Sequence, residues 1–262
     1  MTSDIKTAPT ILRGLIVLET VVKAMRPISA TDIIELLEWP KPTVNRILKQ
    51  LEEAALLQRE PINRRYLPGL RTRDLVFDVM SSKALSAPRH AILKDLSEEI
   101  GETCNCTMLD SDHITYFDRV EANWPYRIHL PVGSQLPLHC TASGKVYLAF
   151  MDQRRREGLL TPSLFKRYTE RTITDPELLR EELKSIKKTG VGVDDEEFMS
   201  GMVAIAVPVF NPANEVCFTI AVHAPKIRKS LDALRQHLPS LKRAAEAMAE
   251  VYCNSRNDEQ VK

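Results

Sequence analysis

Asn45, Arg46 and Lys49 carry the most specific chemistry in this 262-residue chain. With Pro42 they stand at three- and four-residue intervals, so on a helix they occupy one face. Val44, Ile47, Leu48 and Leu51 repeat the same spacing on another face, the pattern of a helix that buries one stripe. An arginine can grip the edge of guanine with two hydrogen bonds, and an asparagine can do the same for adenine, in the major groove of duplex DNA. A lysine further along suits a phosphate. Lys41 and Thr43 lie at the start of the same helix, and Arg64 and Arg65 follow at a turn. Between Lys41 and Arg73 eight cationic side chains face only three acids, Glu52, Glu53 and Glu60. The whole chain is near neutral at +1, so any nucleic-acid contact must come from this local excess. Pattern alone also fits an ordinary helical bundle with a solvated cationic face.

A second set of residues lies in the C-terminal half. Ala204 and Ala206 share a strand face, as do Cys217, Thr219, Ala221 and His223. The opposite faces are bulky: Val203, Ile205, Val207 and Val209, then Val216, Phe218, Ile220 and Val222. Small residues leave room for a ligand or for a closely packed helix, and both readings stand. His223 could meet a ligand or be a satisfied strand histidine. Cys104 and Cys106 point to one side of a strand, and His139-Cys140 could complete a metal set. Cysteine, however, is commonly a small buried hydrophobe. The acidic run Asp194 to Glu197 reads as a cation site or a solvated loop.

These side chains require two kinds of scaffold. In the first half, helical spacing runs from Ile11 to about Ala24. A second helix is capped by Ser29 with Asp32 as its reciprocal acid, and a third opens at Pro42 and runs to about Ala55. Short extended runs at 56–59 and 65–67 flank Pro61-Ile62-Asn63 and predict a hairpin. A linker helix is expected over 70–86. The second half alternates helices and strands. A helix over 88–101 is closed by Gly101, and strands are expected at 103–109, 113–120 and 126–131. A helix follows over 142–150, then one capped by Asp175. Strands at 203–210 and 216–222 precede a helical stretch over 230–252 interrupted at Pro239. The expected fold is α+β: residues 10–69 a winged helix-turn-helix, 70–86 a linker helix and 87–253 an α/β domain with an antiparallel sheet.

The segments RGLIVLETV, ATDIIELL, PKPTVNRILKQLEEAALL and RRYLPGL resemble the N-terminal domain of the IclR family of transcriptional regulators. Trp39 stands where that family usually has a turn glycine, Pro42 where it has a serine, and Pro68 precedes Gly69. The resemblance continues through GETCNCTML, VGSQLPLHCTASGKVYLAF, TITDPELLREEL and GVGVDDEEFMSGMVAIAVPVF. It implies a GAF-like effector-binding domain and a DNA face carried by Lys41, Pro42, Thr43, Asn45, Arg46, Lys49, Arg64 and Arg65. It also implies an effector pocket at Ile128, Ala142, Ser143, Asp194, Ala204, Ala221 and His223. The expected partners are double-stranded operator DNA, a small-molecule effector (a carboxylate or aromatic acid) and further copies of the chain, as homodimer or homotetramer.

Composition narrows the alternatives. No apolar run approaches the roughly 20 residues of a membrane span, and no secretory signal is evident at the N-terminus. The five cysteines are an odd number, which argues for reduced thiols and a cytoplasmic protein. No phosphate loop, dinucleotide fingerprint or His-Glu-x-x-His motif occurs, so neither cofactor nor metal is expected, nor is the chain expected to be an enzyme. The rival classes are an enzyme with an appended wing domain and a protein-interaction module.

Overall fold

The computed structural model describes residues 9–24, 26–124, 130–162 and 164–252, leaving aside the side chains of 83–85 and 252. The chain divides into two compact units, residues 1–80 and 81–262.

The first unit opens with α1 (Thr10–Lys23), α2 (Ala30–Leu37) and α3 (Lys41–Glu53). Ser29 caps α2 as its sequence predicts: its hydroxyl accepts from the Asp32 N–H at 3.1 Å and the Asp32 carboxylate accepts from the Ser29 N–H at 3.2 Å. Strands β1 (Leu57–Arg59) and β2 (Tyr66–Pro68) pair antiparallel, and α4 (Leu70–Ser81) follows. An isolated bridge between Ile28 and Tyr66 ties this hairpin to the chain between α1 and α2. Val17, Ile33, Trp39, Val44, Ile47, Leu48, Leu51 and Tyr66 meet in one core. The buried stripe of α3 is the one its spacing predicts.

The second unit starts with α5 (Lys83–Ile100), followed by β3 (Thr103–Asp110), β4 (His113–Val120) and β5 (Gln135–Pro137). Then come α6 (Ala142–Phe150), α7 (Gln153–Leu159), α8 (Pro176–Thr189) and the strands β6 (Gly192–Asp195), β7 (Met202–Phe210) and β8 (Val216–Pro225). The chain closes with α9 (Leu231–Arg235) and α10 (Leu238–Tyr252). The six strands form one antiparallel sheet in the order β5-β4-β3-β8-β7-β6. Helices α5 and α10 pack together and against the sheet, and Cys106 Sγ lies 3.9 Å from Met248 Sδ of α10. The small-residue face takes α6, whose Val146, Tyr147 and Ala149 share a core with Ala206 and Ala221.

Three boundaries differ from the sequence reading. The helix expected over 70–86 ends at Ser81, and residues 83–86 open α5 instead of linking. Pro88, read as a helix start, sits inside α5. It removes one donor, while Arg89, Leu93, Leu96 and Ile100 are buried along the helix and hold it through the proline. The C-terminal break falls at Gln236-His237, because Pro239 occupies the second position of α10, where its missing N–H has no acceptor to lose. The strand expected at 126–131 lies mostly outside the described residues. Strands β5 and β6 and helix α7 were not predicted. They are short, and β5 and β6 are edge strands.

Candidate DNA-reading helix and effector cavity

In the first unit, α3 presents Lys41, Pro42, Asn45, Arg46 and Lys49 as exposed side chains, with Thr43 half-buried. Asn45 and Arg46 form no side-chain hydrogen bond or ion pair among the described residues. Lys49 pairs with Glu53 at 3.7 Å, but both side chains are mostly exposed, so water competes for the pair. Arg59 is used within the unit: it binds Glu52 at 3.0 Å and stacks 4.7 Å over Tyr66. The hairpin loop is closed by the Glu60 N–H donating to the Arg65 carbonyl at 2.9 Å. Arg64, at its exposed end, takes the left-handed φ of 51°. The α2–α3 turn places its left-handed residue at Glu38, φ 52°, and buries Trp39 in the core. Trp39 therefore does not fill the conformational role of a turn glycine; Glu38 does.

In the second unit, two rows run across the sheet. Asp194, Ala204, His223 and Thr103 are successive partners in one; Gly192, Ala206, Ala221 and Asn105 in the next. Helix α6 lies directly over the second row. A Cβ on Gly192 would fall 2.1 Å from the Ala142 carbonyl, and one on Gly144 would fall 2.4 Å from that of Leu138. These two glycines let the first turn of α6 sit against the edge of the sheet. Thr141 caps that turn by accepting from the Gly144 N–H at 3.1 Å. The first two N–H groups, of Ala142 and Ser143, have no acceptor within the helix.

Beside this turn is a cavity of about 50 Å³, bounded by Asn105, Tyr116, Leu136, Ala142, Ser143, Asp194, Phe198, Ala204, Ala221 and His223, among others. Six of the seven effector residues expected from the sequence border it; Ile128 lies outside the described residues. The alanines meet both a helix and a cavity. Helix α6 covers Ala206 and Ala221, and the cavity extends to Ala204 and His223.

The polar lining is incompletely satisfied. Ser143 Oγ and Asn105 Oδ1 are buried without a hydrogen-bond partner. Asp194 Oδ1 accepts from the N–H groups of Glu197 at 2.8 Å and Phe198 at 3.3 Å, which folds the acidic run into a turn. Burial and the neighbouring Glu197 push the Asp194 carboxyl up to about 7. Burial, with Arg119 and Arg228 nearby, drops His223 to about 3, so its imidazole is neutral at ordinary pH. Its Nε2 lies 3.5 Å from Arg119 Nη2, and its Nδ1 lies 3.2 Å from Asn105 Nδ2. A guanidinium only donates, so Nε2 accepts and Nδ1 carries the proton. Exchanging the two Asn105 amide atoms then satisfies both His223 and Oδ1, and turns the amide NH₂ away from the ring.

Asn105 and Tyr116 escaped the sequence reading. Asn105 alternates with Thr103 and Thr107, which marks a polar strand face. Its partner Ala221 is 116 residues away, and no local signal joins the two. His139 and Cys140 are both buried. The His139 Nε2 faces the Lys166 carbonyl at 2.9 Å, and burial raises the Cys140 thiol. Among the described residues no three His, Cys, Asp or Glu side chains converge as a metal site.

A winged helix-turn-helix with a free polar recognition face, joined in one chain to an α/β domain with a polar-lined cavity, defines the class of DNA-binding transcription regulators. Residues 10–61 match the IclR helix-turn-helix domain and residues 77–250 match the bacterial transcriptional regulator IclR C-terminal domain. The chain belongs to the IclR family. It is 42% identical over 242 residues to the probable transcriptional regulator SauR of Cupriavidus necator, covering 92% of this chain and 96% of that one. Its fold resembles the crystal structure of the Thermotoga maritima IclR, with a TM-score of 0.61 and 26% identity over 92% of this chain and 97% of that one. The inducer-binding domain of Acinetobacter PobR, a double mutant in complex with 3-hydroxybenzoic acid, matches 61% of this chain and 94% of that one, with a TM-score of 0.57 and 26% identity. These relatives are regulators, not enzymes.

Proposed function

We propose that this regulator binds operator DNA through α3 and the hairpin, and that a small acid in the α6 cavity alters that binding. The first unit reads DNA, α4 closes it as the link, and the second unit, which opens with α5, senses. The observation that carries the sensing role is the buried, unpartnered Ser143 Oγ, with the Asn105 amide NH₂ turned away from His223 and the first two N–H groups of α6 beside it. Buried polar atoms left without partners cost roughly 1–3 kcal/mol each, and a ligand that meets them recovers that cost. Helix-start N–H groups favour an anion, so the ligand is a carboxylate or a related acid. A cavity of about 50 Å³ suits a compact aliphatic acid; an engineered cavity that holds benzene measures about 150 Å³. The PobR complex favours a second reading, an aromatic hydroxy acid, which would require the cavity to widen on binding. The protein acts in the cytoplasm as a homodimer or a homotetramer.

The test is a gel-shift titration with the chain's upstream DNA and a panel of short and aromatic acids. Ala221→Phe should fill the cavity and remove the response to whichever acid is active, while basal DNA affinity stays near wild type. An unchanged response in that variant would place the effector elsewhere.

A further inference from the structure

A second recess of the sensing unit lies outside the α6 cavity. It is an open groove of about 450 Å³, walled by α8, the edge strand β6 and the chain around α9. Its apolar lining includes Ile186, Val193 and Leu231, and its polar lining includes Glu182 and Glu197. The Glu197 side chain is 8% exposed, and its Oε2 is buried without a hydrogen-bond partner. The other oxygen, Oε1, accepts from Lys145 Nζ at 2.5 Å, and Glu182 Oε1 lies 3.4 Å from the same ammonium. The Lys145 side chain is 1% exposed and has only these two acidic partners among the described residues. One positive charge therefore serves two carboxylates. The other charges on the groove are matched within the unit: Asp195 by Arg171 and Lys226, and Arg235 by Asp232.

We propose that this groove is a second ligand site, separate from the effector cavity, for a small aliphatic primary ammonium. Its head donates to Glu197 Oε2 and Glu182, and its alkyl chain covers Val193 and Leu231. An ammonium supplies both what the buried pair lacks, a donor for Oε2 and the missing positive charge. A divalent metal fits less well, because no third ligating side chain converges there among the described residues. Burial raises the Glu197 carboxyl, and a bound ammonium would act against that rise by favouring its charged form. Lys145 belongs to α6, whose first turn borders the effector cavity, so both sites touch one helix.

The experiment is calorimetric titration of the full-length protein with n-hexylammonium chloride, against n-hexanol and an equal ionic strength of sodium chloride. Saturable binding of the ammonium is expected, with n-hexanol weaker by about tenfold or more, the range of one charge-assisted hydrogen bond. Glu197→Gln should weaken the ammonium by a similar factor. Ser185→Trp, at an exposed position on the α8 wall, should obstruct the groove without disturbing the core. The proposal is overturned if n-hexanol binds as well as the ammonium or if Ser185→Trp binds normally. Should Glu197→Gln fold poorly, the Ser185→Trp result decides.

Discussion

Asn45 and Arg46 share the polar face of the recognition helix. Both are exposed on α3 and make no side-chain bond among the described residues. Each base contact they make should contribute about 1–3 kcal/mol of discrimination. Asn45→Ala and Arg46→Ala should therefore weaken operator binding by roughly ten- to a hundredfold while leaving random-sequence binding nearly unchanged. Competition gel shifts at fixed salt check this, and equal loss on both DNAs would reduce the two residues to backbone contacts. His223 makes a different prediction. Its folded value of about 3 lies below the ordinary 6.5, so below about pH 6.5 the unfolded chain takes a proton that the folded chain refuses. Stability from this group is complete above about 6.5 and is lost as pH falls towards 3. Asp194, raised to about 7, acts in the opposite sense and loses stability as pH rises from its ordinary 3.8. A comparison with His223→Asn isolates the histidine. Lowering the pH from about 6.5 to about 5 should cost the wild type about 2 kcal/mol more than the variant, read from denaturant midpoints. Equal losses would show that His223 titrates normally.

At the scale of elements, the α2–α3 turn stores strain that its sequence does not advertise. Glu38 adopts φ 52° at the end of α2, a region that costs an L-residue with a Cβ about 1–2 kcal/mol. Its side chain is exposed. Glu38→Gly should raise the stability of the first unit by about 1 kcal/mol. Trp39, buried in that unit, reports its unfolding by fluorescence once Trp124, the other tryptophan, is replaced by Phe. A lower midpoint would mean that the Glu38 side chain contributes more than its backbone costs. The Ser29 and Asp175 caps could be anticipated because capping depends on residues within one turn. The continuation of α5 through Pro88 could not, because burial against the sheet overrides a local preference.

At the scale of the whole molecule, exposed apolar residues predict where copies of the chain would meet. Ile11, Leu12, Leu15 and Val22 stand exposed on α1, and Leu75, Val76 and Val79 on α4. Apolar patches of this kind favour burial in an interface, and a symmetric dimer presents paired recognition helices to paired half-sites. Leu12→Glu combined with Val76→Glu should dissociate the oligomer in sedimentation velocity and lower affinity for a two-half-site operator. A double variant that sediments as wild type would move the interface off these helices.

The sequence by itself determined the recognition helix, the Ser29 cap of the helix before it, the hairpin behind it, and the family to which both halves belong. These rest on spacings within a few residues, which helix and strand geometry impose directly. It also placed Ala204 with Ala206 on the small face of one strand and Ala221 with His223 on that of the next, because alternation along a strand is local. Only the tertiary structure decided what those faces meet. The pairing of β3 with β8 brings Asn105 to Ala221, and the glycines at 144 and 192 seat α6 on one part of the face and leave the rest open. The same fold buries Lys145 between Glu182 and Glu197 and leaves His223 neutral beside Arg119. Such long-range pairings leave no mark in local spacing, and burial, which sets the charge and reach of each polar group, exists only once the chain has closed on itself.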